Sequence, residues 1–152
     1  MFVQDNKTNG KHVVAVRGVN KTELILHKGF NFKWEIIDPQ KVFKLTLAEN
    51  NEAIGLMALE LFDLEQTVEI KLIESLTGNI GRDKYYGRIA GCLLAHAAKT
   101  AVTNYGARAA ISLIPKTKLI NHYIGEYEFQ FAGKSLFMEG KSSIKLIDYY
   151  GR

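Results

Sequence analysis

The sequence predicts a mixed α/β (α+β) fold, with a single, mostly antiparallel central sheet and one β-loop-α-β unit in its middle. Three observations carry that expectation. Residues 41–76 hold strand-like runs in succession, separated by short polar turns. From Ile89 the apolar residues switch to helical spacing: Ile89, Leu93, Ala97 and Ala101, with Leu94, Ala98 and Val102 beside them. The run "ARAAISLI" (107–114) then returns to strand, and its near-continuous apolar character fits a strand covered on both faces.

Taken in order, the polar start at 1–10 reads as a frayed end. "HVVAVRGV" (12–19) reads as a short strand, and "TELILHKGF" (22–30) as another strand or a packed connector. "FNFKWEIIDPQ" brings Trp34 and aromatic anchors ahead of a turn at Asp38-Pro39. "KVFKLTLAEN" (41–50) sets Val42, Lys44 and Thr46 against Phe43, Leu45 and Leu47, the alternation of a strand. After a turn at Asn50-Asn51-Glu52, "AIGLMALELFD" (53–63) and the branched-residue run "QTVEIKLIESL" (66–76) complete a hairpin meander. A loop at 77–84 leads into the helix "IAGCLLAHAAKTAVTNY", which Gly106 ends through left-handed backbone. "PKTKLINHYIG" reads as a short helix with Pro115 near its start and Gly125 past its end. "YEFQF" (127–131) and "KSLFME" (134–139) read as short strands around Ala132-Gly133. "SSIKLIDYY" (142–150) reads as a closing helix capped by Ser142 or Ser143.

The length of 152 residues suits one domain over 1–152. Its 47% hydrophobic and 24% charged residues are those of an ordinary soluble globular chain. No apolar run approaches the roughly 20 residues that span a bilayer. The opening "MFVQDNKTNG" lacks the basic flank and apolar block of a signal peptide, so the expectation is a cytoplasmic protein that does not enter membranes. The lone Cys92 excludes an intramolecular disulfide and a cysteine-rich zinc site. A net charge of +4 favours an anionic partner such as a nucleotide, a phosphorylated cofactor or RNA.

The stretch "GRDKYYGRIAGCLLAHA" (81–97) carries the chemistry. A loop rich in N–H groups that opens a helix is an anion site, because orphan amides and the positive end of the helix dipole point the same way. Gly87 and Gly91 permit close backbone approach, and Arg82, Lys84 and Arg88 add charge for phosphates. Other nucleotide signatures fail. "GKS" at 133–135 and 140–142 lacks the upstream glycine of a Walker loop, since Glu128 and Ser135 stand there. A Rossmann glycine triplet is absent. "GNIG" (78–81) matches the loop of a KH module, but a strand precedes it where a helix belongs, so nucleic acid is not expected as a partner. No His or carboxylate cluster has metal spacing, and no serine or cysteine nucleophile motif appears.

The strand "VEIKLIES", the helix opening "KYYGRIAGCLLAHAAKTA", the strand "AAISLIPKT" and the segment "INHYIGEYEFQFAG" together resemble the GNAT superfamily of acyl-CoA N-acyltransferases over roughly residues 41–139. The helix signature matches at "IAGCLL", with Ala90 at the last small position, and Tyr123 precedes "GEYEF" where the family has its tyrosine. "LIES…NIG…KYYGRIAG…KTKLINHY" is similar, more narrowly, to small bacterial GNAT-like proteins. Three departures stand out. Arg88 occupies the usual penultimate glycine position, with Gly87 one place early; the loop from Ser75 to Lys84 is long; and residues 20–40 show little of the family's acceptor-site helices.

The resemblance implies a GNAT-like acyl-CoA N-acyltransferase fold and acetyl-CoA as co-substrate, with an amine acceptor as partner. The pantetheine arm would pair with the backbone of Ile73, Glu74 and Ser75 like a missing strand. The pyrophosphate would lie on the amides of Tyr86, Gly87, Arg88, Ile89, Ala90 and Gly91, with Lys84 adding charge. Tyr123 would give the leaving thiolate its proton, and Glu74, at the end of the apolar row Ile70 and Leu72, would act as base. The alternative is a non-catalytic CoA-binding or interaction module on the same fold. The acceptor and the oligomeric state stay open, a homodimer among the options.

Overall fold

The computed structural model describes residues 1–76, 85–115 and 120–152. Its elements are β1 (Phe2–Asp5), β2 (Lys11–Gly18), α1 (Lys21–Leu26), β3 (Val42–Leu47), β4 (Ala53–Phe62), β5 (Thr67–Ser75), β6 (Tyr86–Gly87) and α2 (Ile89–Tyr105). They continue with β7 (Ala110–Leu113), α3 (Ile120–Tyr127), β8 (Gln130–Ala132), β9 (Ser135–Glu139) and α4 (Lys141–Tyr150). Backbone pairing joins the strands in the order β6-β1-β2-β3-β4-β5-β7-β9-β8. β5 and β7 run parallel, and the sheet is otherwise mostly antiparallel, as the sequence predicts.

By their contacts the residues fall into two compact units, Met1–Ala58 with Leu72–Leu93 and Leu59–Lys71 with Leu94–Arg152. In the first, β2 pairs with β3 from Val14–Leu47 to Gly18–Phe43, and β3 with β4. A buried cluster of Leu24, Trp34, Val42, Leu56 and Ala58 forms one part of its core, with Val19, Phe30, Ile37 and Leu72 packed against it. The opening of α2 rests on β4 through a glycine: a Cβ at Gly55 would meet Ile89 Cγ2 at 2.9 Å and Leu93 Cδ1 at 3.0 Å. In the second unit, β7 is flanked by the first half of β5 and by β9, and it is buried at Ile111 and Leu113. The Lys99 ammonium donates to the Gly151 carbonyl, tying α2 to the end of α4. The Tyr105 hydroxyl donates to Asp63 Oδ1 at 2.5 Å.

The meander and α2 form where the sequence puts them, and Gly106 ends α2 at a φ of +81°. Four expectations are corrected. The start is not frayed: Phe2–Asp5 is a strand between β2 and β6, with Val3 fully buried. Residues 21–26 form a short helix, which excludes the strand alternative for 22–30, and the Asn20 side chain caps it by accepting from Glu23 N at 2.8 Å. α3 runs through Gly125 to Tyr127, so β8 begins only at Gln130, after Glu128 has taken a φ of +61°. α4 starts from Gly140, at a φ of +59°, with no side-chain cap, and Ser142 and Ser143 lie inside its first turn.

Candidate active site

The first candidate region is the end of β5. Its parallel ladder with β7 runs from Thr67–Ala110 to Ile70–Leu113, while the strand itself continues to Ser75. Among the described residues no further pair with β7 forms beyond Ile70. Ile73, Glu74 and Ser75 are half-buried, and Leu76 N donates to Ile54 O at 2.9 Å, keeping this end on β4. Alternation puts Glu74 on the side of Ile70 and Leu72, and Leu72 does pack against the Trp34 cluster. The row does not end on an apolar wall, however. Glu74 accepts from Asn31 N at 2.7 Å, Phe32 N at 3.2 Å and Trp34 Nε1 at 2.9 Å. The carboxylate is a hydrogen-bonded anchor, which the sequence could not show because its partners lie some forty positions upstream.

The second region is the opening of α2. Tyr86 and Gly87 are not a free loop. They form β6 and pair with β1, Gln4 opposite Gly87 and Asp5 opposite Tyr86, and Asn6 N donates to Tyr85 O at 2.9 Å. Arg88 takes a φ of +80°, backbone that glycine adopts freely and other residues rarely do. Its Nε donates to Phe2 O at 3.2 Å, and its guanidinium lies 4.0 Å from the centroid of the Phe2 ring. Cys92 N donates to Arg88 O at 2.9 Å and closes the first turn. Helix geometry then leaves the amides of Ile89, Ala90 and Gly91 without intrahelical acceptors, a donor set suited to an anionic phosphate. Ile89 and Gly91 are buried and Ala90 half-buried. Cys92 is fully buried, and burial pushes its thiol up to about 11, so it is an inert core residue whose Sγ donates to Phe2 O at 3.3 Å. Lys84, Arg82 and the "GNIG" stretch lie outside the described residues.

Tyr123 sits in α3, 7% exposed, with the rings of His122, Tyr127 and Phe129 at 5.8, 5.9 and 5.9 Å. Burial raises its phenol pKa, so the hydroxyl keeps its proton at neutral pH. Tyr127 in turn lines an open groove of about 560 Å³ with Glu126, Lys145, Tyr149 and Tyr150. Sequence reasoning missed β1 and Trp34 as parts of these regions. It also missed His27, whose Nε2 is buried without a hydrogen-bond partner among the described residues. Among the described residues, no three His, Cys, Asp or Glu side chains converge as metal ligands would. No helix there is long and apolar enough to cross a membrane.

No protein-family model and no curated protein sequence matches the chain. Solved structures do. N-acetylglutamate synthase from Neisseria gonorrhoeae, complexed with coenzyme A and L-arginine, superposes with a TM-score of 0.58 at 16% identity over 88% of this chain. The match spans only 36% of that longer protein. AtaTR bound with AcCoA matches at a TM-score of 0.58 and 12% identity, over 88% of this chain and 98% of that one. Ard1 from Thermoplasma volcanium matches at 0.57 and 9%, over 84% and 97%. The parallel β5–β7 pair, the helix between those strands and the mostly antiparallel remainder thus make up a GNAT-like fold, which these solved structures share.

Proposed function

We propose that this chain is an acetyl-CoA-dependent N-acetyltransferase that passes an acetyl group to a primary amine by direct attack. The observation that carries the reading is the fold match to structures holding coenzyme A or AcCoA, over nearly the whole chain. Two local features support it. The end of β5 runs on past its last described pair with β7, which suits backbone pairing of a pantetheine arm along Ile73–Ser75. The amides of Ile89, Ala90 and Gly91 suit the pyrophosphate, and Arg88 and Lys84 bring positive charge to the same segment. Tyr86 and Gly87 adjoin this segment in the chain and pair with β1.

In the reaction, the amine nitrogen bonds to the thioester carbonyl carbon, the C–S bond breaks, and the CoA thiolate leaves. Tyr123 is the proposed proton donor to that thiolate. Burial keeps its phenol protonated until the sulfur needs it. The proton lost by the amine returns the tyrosine to its starting state through solvent.

The second reading is a CoA-binding module without catalysis. The pairing of Gly87 with Gln4 and the turning of Arg88 onto Phe2 favour it, because both engage these residues with β1. Calorimetry with acetyl-CoA followed by thiol-release assays over an amine panel separates the two. Heat with no turnover on any amine selects the second reading, and no heat at millimolar ligand defeats both. With a turnover in hand, Tyr123→Phe should lower kcat by about 10²-fold or more while leaving acetyl-CoA affinity unchanged. An unaltered kcat removes Tyr123 from the mechanism.

A further inference from the structure

Glu74 ends β5 on three donors from one short segment: Asn31 N, Phe32 N and the Trp34 indole. A carboxylate has about four acceptor positions, so most of its capacity is committed within the protein. The same segment is fastened a second time. Leu76 lies so close to Gly29 that a Cβ there would meet Leu76 Cδ1 at 2.6 Å, and Gly29 has a φ of +88° that suits glycine. Trp34 is 2% exposed, locked in the cluster on which Leu72 packs. Residues 29–34 and the last residues of β5 therefore form one connected piece.

We propose that Glu74 is a positioning residue: it holds Asn31–Trp34 against the end of β5, so that a ligand paired with Ile73–Ser75 is felt at Trp34. The ligand in that statement rests on the acyl-CoA reading above; the anchor itself does not. The carboxylate orients that segment through its three donors. Displacing the β5 backbone moves the carboxylate, and the carboxylate carries three N–H groups with it.

Trp34 is the sole tryptophan, so its emission reports the anchor directly. In the free full-length chain, Glu74→Ala should shift that emission to the red and expose it to acrylamide. Glu74→Gln, whose one amide oxygen can take the place of Oε1 toward Phe32 N and Trp34 Nε1 but whose NH2 then faces the Asn31 N–H, should lie between the alanine variant and wild type. Glu74→Asp, one methylene shorter, should fall between them and carries the same test with less risk to folding. With acetyl-CoA added, wild-type emission should change over the concentration range in which calorimetry records heat. The alanine variant should still give heat but lose the optical response, and the glutamine variant should recover part of it. Unchanged emission and quenching in both the alanine and aspartate variants would overturn the proposal, as would wild-type heat without any Trp34 response. Absence of heat in the wild type overturns the acyl-CoA reading instead, and the quenching of the free variants then decides the anchor alone.

Discussion

At Arg88 two energies oppose one another. Its φ of +80° costs a non-glycine residue about 1–2 kcal/mol. Against this stand the Nε bond to Phe2 O and the guanidinium over the Phe2 ring, each contributing about 0.5–1 kcal/mol at a partly exposed position. Glycine is what the backbone asks for and what the family resemblance leads one to expect; arginine is what β1 asks for. The two truncations separate these demands. Arg88→Ala loses the contacts and keeps the strain, whereas Arg88→Gly loses the contacts and relieves it. The glycine variant should be the more stable of the two by about 1 kcal/mol in urea unfolding. Equal stabilities, or an alanine variant ahead, would show that the left-handed backbone is not retained.

Among the elements, the opening of α2 depends on a missing methyl group. Gly55 is a glycine because Ile89 and Leu93 press onto β4 at that point, 2.9 and 3.0 Å from where a Cβ would stand. Gly55→Ala should therefore destabilise the protein by about 1–3 kcal/mol, the range for overpacking a filled core. Ile89→Ala, which removes the Cγ2 methyl that a Cβ at Gly55 would meet, should make the further loss from Gly55→Ala smaller in the double variant. Additive losses would mean that the helix has no contact with Gly55. The same elements show what could be read from the sequence. α2 carries enough helical repeats, and β3 to β5 enough alternation, for the pattern to outweigh any single residue. β1 and α1 are four and six residues long, too short for a period to emerge. What orders them is the pairing of Phe2 with Val13 and the Asn20 cap, one long-range and one a single side chain. The site followed the same division. Alternation placed Glu74 on the correct side of β5, but its three donors and the β1 partner of Gly87 come from distant segments that no local pattern reveals.

For the whole molecule, burial sets the response to acid. His27 and His96 both have pKa values held below the ordinary histidine value of 6.5, each chiefly because burial disfavours the charged ring. The Lys44 charge adds to this at His27, against a smaller opposing effect of Glu23, and Lys99 adds to it at His96. Above pH 6.5 both rings are neutral folded and unfolded, and they cost nothing. Below 6.5 the unfolded chain takes up protons that the folded one refuses, so stability falls as pH falls, until the depressed folded pKa values are reached. The carboxylates act later. Asp5 is lowered chiefly by the Lys7 backbone N–H and Glu23 by its bond to Lys44, so their contributions are present above the ordinary values of 3.8 and 4.5 and are lost only as pH drops through the folded values. The melting temperature should therefore begin to decline near pH 6.5, before Asp5 and Glu23 respond. Replacing both rings, His27→Leu with His96→Leu, should flatten the curve between pH 6.5 and 5 and leave the steeper acid limb in place. At His27 the apolar side chain also removes a buried Nε2 with no hydrogen-bond partner among the described residues, so His27→Leu alone should lose little stability at pH 7.5. A melting curve that keeps its full slope between pH 6.5 and 5 in the double variant would assign the titration to other groups.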